Sequence, residues 1–193
     1  MALTATIRDA VADDAIPLAD LHVASWRAAY RGIIDDDVLD APALVDSRRA
    51  GWKQHLHDGF NHTGDPEHRL LVATLDARVV GFGHVGRESD PVDDTPGQAP
   101  AGEVYGFYLH PDAWGTGTAS ALMGACLDEL RRREFARGVL WVLRDNPRAR
   151  RFYERCGWTP TDHELMWDGP KMPGAPQIRE PVAEIQYRIR LAD

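Results

Sequence analysis

Cysteine is scarce in this 193-residue chain, which holds only Cys126 and Cys156. Both fall on the apolar faces of predicted helices, so they read as packed thiols; a disulfide framework, a metal pair and thiol redox chemistry are not indicated. Basic charge is also short, with 22 Lys and Arg against 30 Asp and Glu and a formal net charge of −8. An acidic chain is a poor candidate for nucleic-acid binding. No apolar run approaches membrane-spanning length, and Met1 to Arg8 lacks the basic-then-apolar order of a signal peptide. A cytoplasmic protein with no membrane partner is therefore expected. No internal repeat is visible, and the length, with 44% hydrophobic and 27% charged residues, fits a single domain over 1–193.

What is present is concentrated between Glu103 and Trp158. Gly102 to Pro111 alternates as a strand and stops at a proline, which has no amide for a following ladder. Asp112-Ala113-Trp114-Gly115-Thr116-Gly117-Thr118-Ala119 follows, where two glycines and small neighbours let backbone amides approach a ligand as a helix begins. Such a turn is an anion site. In the next helix Ala119, Leu122, Met123, Cys126, Leu127 and Leu130 form one apolar face. Val139 to Leu143 then reads as a buried strand. A second helix opens with Asp145 or Asn146 as cap and Pro147 in the first position, and Gly157 is placed to end it.

These residues resemble the GNAT superfamily of acyl-CoA-dependent N-acetyltransferases. In that family's cofactor signature a glutamine or arginine is followed, after two residues, by glycine, then one residue, then glycine or alanine. Trp114, Gly117 and Ala119 occupy those positions, with Trp114 a departure. The stretch Asn146 to Trp158 matches the family's asparagine, alanine, tyrosine and glycine-aromatic motif without a gap. The resemblance implies an α+β (mixed α/β) fold: a central, mostly antiparallel mixed sheet of about seven strands splayed around the acyl-CoA site and flanked by about four helices. It implies transfer of an acetyl group from acetyl-CoA to a primary amine, of a small molecule or a peptide, by direct attack in a ternary complex, with no metal. Strand edges of this architecture often pair into homodimers. The alternative is a non-catalytic acyl-CoA sensor. A nucleotide-cradling loop is disfavoured, because its lysine and following hydroxyl are missing.

The resemblance also distributes roles. Backbone amides over Gly115, Thr116, Gly117, Thr118, Ala119 and Ser120 would hold the pyrophosphate. Phe107 and Leu109 belong to the strand edge that pairs with the pantetheine arm, their side chains serving the core. Tyr153 matches the tyrosine that returns a proton to the departing thiolate, whose reference pKa of about 8.5 favours the thiol at neutral pH. An alkyl ammonium, with a reference pKa of about 10.4, needs a base; Glu103 is the choice, against an exposed residue at a strand start, with Asp37 and His110 in reserve. Asn146 serves as cap and cofactor contact together, and Arg148 is the arginine of its cluster best placed for a phosphate.

The rest of the chain is less legible. Ala5–Asp9 reads as a strand, Asp13 or Asp14 to Gly32 as a helix, and Asp35 to about Gly59 as one irregular helical region. Two strands over Leu70–Leu75 and Val79–Val85 flank Asp76-Ala77-Arg78, which suits a hairpin, and Arg87–Ala101 reads as a solvated loop. Strands to about Trp167 and over Ile185–Leu191 close the chain. Trp26 and Tyr30 share a helix face and form either one wall of an amine pocket or sheet packing. His55 and His57 have no third ligand nearby in sequence, so a metal site is not read there. Residues 1–100 carry 17 acidic and 9 basic residues, while 101–193 carry 13 of each. The excess acid either favours a cationic acceptor or is a solubility surface.

Overall fold

The computed structural model describes residues 5–57, 68–89, 91, 100–171 and 173–191. Strand β1 (Thr6–Asp9) leads into helices α1 (Ala15–Ala29), α2 (Asp36–Asp40) and α3 (Pro42–His57). Strands β2 (His68–Leu75), β3 (Arg78–Arg87) and β4 (Gly102–Leu109) follow. Then come α4 (Thr118–Arg132), β5 (Arg137–Leu143), α5 (Pro147–Arg155), β6 (Thr159–Trp167) and β7 (Val182–Arg190). The strands form one seven-stranded sheet in the order β1-β2-β3-β4-β5-β7-β6. All neighbours are antiparallel except β4 and β5.

The mixed, mostly antiparallel sheet agrees with expectation, but five α-helices rather than about four flank it among the described residues. The additional one arises because the helical region from Asp35 divides. Ala41 is extended (φ −60°, ψ 131°). It precedes Pro42, whose ring disfavours a helical neighbour but suits the first turn of α3. The expected end at Gly59 lies outside the described residues, as does most of the loop read over Arg87–Ala101. α1 closes at Ala29, before Gly32, which turns the chain with a φ of +81°. Asp76 and Ala77, at φ 47° and 62°, make the β2–β3 hairpin turn.

Alternation along the strands separates two cores. Leu71 and Ala73 of β2 join Leu122, Met123, Cys126 and Leu130 of α4, with Tyr153, Leu140 and Tyr187. Leu70 and Val72 pack on the other side with Leu18 and Leu21 of α1, Trp52 of α3 and Phe82. Farther along that side Val23, Trp26 and Leu44 meet Leu143 of β5.

The parallel junction is short. Only Gly102↔Gly138, Glu103↔Val139 and Val104↔Leu140 pair β4 with β5. Past Val104 the strands part. The β3–β4 register also jumps there: His84 lies opposite Gly106 and Val85 opposite Val104, leaving Tyr105 as the extra residue of a β-bulge. A bulge bends its strand and raises its twist, which carries β4 away from β5. At the junction Gly102 lets α4 and the segment after it pack directly on β4, since a Cβ there would come within 2.7 Å of Leu130 and 2.8 Å of Phe135.

Candidate active site

Where β4 and β5 diverge they open a cavity of about 440 Å³. One wall is β4 itself, from Glu103 to Leu109, and past Val104 this strand has no ladder partner on its β5 side. Trp114, Gly115 and Ala119 close one end, Asn146, Arg148, Phe152 and Tyr153 stand at the start and inner face of α5, and Trp26 and Tyr30 reach in from α1.

The glycine turn sits at the head of α4. After β4 the chain makes a single 3₁₀ turn over Pro111–Ala113, and His110 accepts from the Asp112 amide at 3.3 Å. Gly115 and Gly117 then take φ of +78° and +86°, values that β-carbon-bearing residues seldom adopt. A Cβ at either would meet nothing within 4 Å, so the backbone angle and not crowding calls for glycine there. Gly117 is the N-cap of α4 and supplies no side-chain acceptor. The Thr116 hydroxyl donates to the Ala113 carbonyl at 2.8 Å and lies 2.8 Å from that of Thr118, so both threonines brace the turn. Ser120 is exposed on the first turn of the helix. The amide-rich, positive end of the helix dipole thus faces the open side of the turn, as an anion site requires.

On α5, Asn146 Oδ1 accepts from the Ala149 amide at 3.1 Å, a true N-cap. It is buried and lines the cavity as well. Tyr153 is also buried; burial, then the neighbouring Tyr108 and the two cysteines, hold its hydroxyl protonated well above the usual tyrosine range. Phe107 stacks on Phe152 with ring centroids 5.5 Å apart and meets Tyr153 edge-on, so it is a packing residue and a wall together. Leu109 is in the core and its edge touches the cavity. Arg148 lies over the Trp114 ring.

Glu103 is buried, not an exposed strand start, and its Oε2 accepts from the Ser89 amide and hydroxyl at 2.9 and 3.0 Å. The two reserves fall outside the cavity: His110 caps its turn, and Asp37 is paired with Arg179. Trp26 is packed against Tyr30 and Trp167 and also lines the cavity, as Tyr30 does. The Tyr30 hydroxyl lies 3.4 Å from that of Tyr108, and burial followed by Tyr108 holds Tyr30 protonated.

Sequence reasoning missed Tyr108, Trp141, Trp167 and Glu184, all cavity-lining. Glu184 is the most consequential. Burial first, and the charge of Glu103 second, push its carboxyl up to about 7. The strict alternation of Ile185, Tyr187 and Ile189 marks the other face of β7 as polar, and a polar face on a terminal strand reads as solvent. Here part of that face borders the cavity. Among the described residues, no carboxylate of residues 1–100 lines this cavity; Asp20, Asp36 and Asp40 are engaged by Arg49 and Arg31 at the surface.

A family model described as the acetyltransferase (GNAT) family matches residues 33–158. The chain belongs to the GNAT acetyltransferases. A mycothiol acetyltransferase of Saccharomonospora viridis is 31% identical over 129 residues, 67% of this chain but only 38% of that protein. The chain thus spans about two fifths of that relative's length. The N-acetyltransferase YuaI of Bacillus subtilis, itself uncharacterized, is 26% identical over 142 residues, covering 74% of this chain and 73% of YuaI. Among solved structures, the PaiA N-acetyltransferase of Thermoplasma acidophilum in complex with coenzyme A superposes with a TM-score of 0.72 at 15% identity, covering 97% and 99% of the two chains. The acetyltransferase YncA of Salmonella typhimurium with acetyl-CoA gives 0.60 at 19% identity, over 98% and 95%. Both share the GNAT fold. No helix among the described residues is long and apolar enough to cross a membrane.

Proposed function

We propose that this chain transfers the acetyl group of acetyl-CoA to a primary amine by direct attack within a ternary complex. One observation carries the reading: a single cavity joins the glycine-turned start of α4 to a wall bearing Tyr153 and two carboxylates, Glu103 and Glu184. The family and the neighbours solved with coenzyme A or acetyl-CoA support the donor. The names of similar proteins range from a mycothiol acetyltransferase to a ribosomal-protein alanine N-acetyltransferase, so both small molecules and proteins belong in the search for an acceptor.

In this reading the amides from Gly115 to Ser120 hold the pyrophosphate, Asn146 and Arg148 border it, and the pantetheine arm lies along β4 beside Phe107 and Leu109. A backbone amide of β4 past Val104 donates to the developing oxyanion. Tyr153 gives its proton to the sulfur as the C–S bond breaks. Trp26 and Tyr30 wall the acceptor, whose positive charge is favoured by carboxylates in a partly enclosed space. Holding both reactants together supplies much of the acceleration.

The test is acetyl-CoA-dependent release of free thiol across a library of primary amines and peptides. Amine-dependent release identifies the enzyme and its acceptor together. Tight acetyl-CoA binding with no release from any amine would instead make the chain an acyl-CoA sensor.

A further inference from the structure

Glu184 is a carboxylate without a counterpart among the described residues. It sits on β7 opposite Leu143 of β5 and Leu165 of β6, on the sheet face that carries Trp26 and Leu143, and it borders the cavity. It is partly buried, yet its side chain forms no hydrogen bond or ion pair with any described residue. A carboxylate removed from water is ordinarily paired or hydrogen-bonded, because desolvation without compensation is expensive. Glu103 differs, since two donors from Ser89 occupy its Oε2 and fix its orientation. Of the two acids lining this space, one is fastened and one is unfastened.

We propose that Glu184 is the base that takes the proton from the attacking amine, with Glu103 a fixed neighbouring anion. This rests on reading the cavity as an amine-acetylating site. The ammonium gives one proton to the Glu184 carboxylate, and the neutral nitrogen attacks the thioester carbonyl carbon. As the tetrahedral adduct collapses, the C–S bond breaks and the sulfur takes the Tyr153 proton. The second nitrogen proton restores Tyr153. Glu184 releases its proton to solvent, so one amide, one thiol and one free proton leave for each ammonium and thioester consumed.

The surroundings suit that role. Burial and the Glu103 charge raise the Glu184 carboxyl to about 7, and a general base works best with a pKa near the operating pH. Facing the same cavity are Tyr30 from α1, Tyr105 and Tyr108 from β4, and Tyr153, Arg148 and Arg155 from α5. On β6 the nearby Glu164 is turned to Arg144, 3.0 Å away. Because the folded value lies above the ordinary one, the base form is lost below about pH 7 and gained above it.

The experiment has two arms. In the first, side-chain carboxyl resonances of ¹³C-labelled protein, loaded with coenzyme A, are titrated in wild type, Glu184→Gln and Glu103→Gln. One carboxyl should titrate near neutrality, vanish in Glu184→Gln and move to lower pH in Glu103→Gln. If the resonance lost in Glu184→Gln titrates in the ordinary carboxylate range, the proposal is overturned, whatever the acceptor. In the second arm, kcat/KM is measured with benzylamine, protonated at neutral pH, and with methoxyamine, already neutral. Glu184→Gln should lower the benzylamine value about 100-fold and abolish its rise through neutral pH, as expected for loss of a general base. The methoxyamine value should change less than about 3-fold, and the KM for acetyl-CoA should hold. Equal losses with both nucleophiles would overturn the base role. Absence of turnover with every amine would instead count against the acetyltransferase reading, while the titration still decides whether Glu184 is poised.

Discussion

Arg148 of α5 lays its guanidinium over the indole of Trp114, 3.5 Å from the ring centroid. Trp114 stands where the family signature has a glutamine or arginine, so α5 brings a cation to the place the signature supplies from the turn itself. An exposed cation–π contact contributes about 0.5–1 kcal/mol, enough to orient a long side chain without immobilising it. Arg148→Ala should weaken acetyl-CoA binding about 5-fold, about 1 kcal/mol, the range of one ordinary hydrogen bond, with kcat little changed. Trp114→Ala should give part of that loss by releasing the arginine. Calorimetry on both variants checks the order, and a Trp114→Ala effect larger than that of Arg148→Ala would contradict it.

Tyr153→Phe should lower kcat about 100-fold, the lower range for loss of a general acid, and leave the affinity for acetyl-CoA within about 2-fold. Because the hydroxyl is held protonated by its burial, it can donate throughout the neutral range. Unchanged turnover in single-turnover kinetics would remove it from the mechanism.

Gly117→Glu should abolish acetyl-CoA binding, since it puts a negative charge and a β-carbon into an anion site whose backbone runs at a φ of +86°. Gly117→Ala meets no neighbouring atom and should lose only about 1 kcal/mol of stability through the left-handed angle. Normal affinity in the glutamate variant, measured calorimetrically, would move the pyrophosphate elsewhere.

Acid stability should depend on Glu129. It is buried on α4; burial pushes its carboxyl up, but hydrogen bonds from Arg132, Arg133 and Arg69 win and hold it at about 2. Since the folded value lies below the ordinary 4.5, the stabilisation is complete above about pH 4.5 and is lost as the pH falls toward 2. Glu129→Gln should destabilise the neutral-pH protein by about 3 kcal/mol, because it removes the buried anion that Arg69, Arg132 and Arg133 share, although Arg69 keeps its pairing with Asp9. It should also flatten this part of the acid profile, as read by thermal melting against pH.

Much of the glycine turn and the α5 start was legible in the sequence because their constraints are local. Gly115 and Gly117 are demanded by backbone angle, Asn146-Pro147 by the start of a helix, and Tyr153 lies in an uninterrupted motif. The rest of the cavity wall is assembled from distant segments, and no spacing records that Trp26, Tyr108, Trp167 and Glu184 share a space. Glu184 was hidden by the alternation that made β7 recognisable, since its polar face reads the same against solvent or a cavity. Charge can be counted from sequence, but which acids pair with arginine, as Asp20 does with Arg49 and Asp40 with Arg31, depends on the fold.

The three paired positions at Gly102–Val104 have a mechanical consequence. The sheet consists of a four-stranded leaf and a three-stranded leaf joined along β4 and β5 by this short seam. A molecule lying in the gap and touching both leaves acts as a splint, contributing across the break the cohesion that a longer ladder would have given. Beneath that break one core runs continuously, with Leu130 of α4 packed at both Gly102 and Gly138, so an occupant of the gap would add its contacts on the side where the ladder is missing.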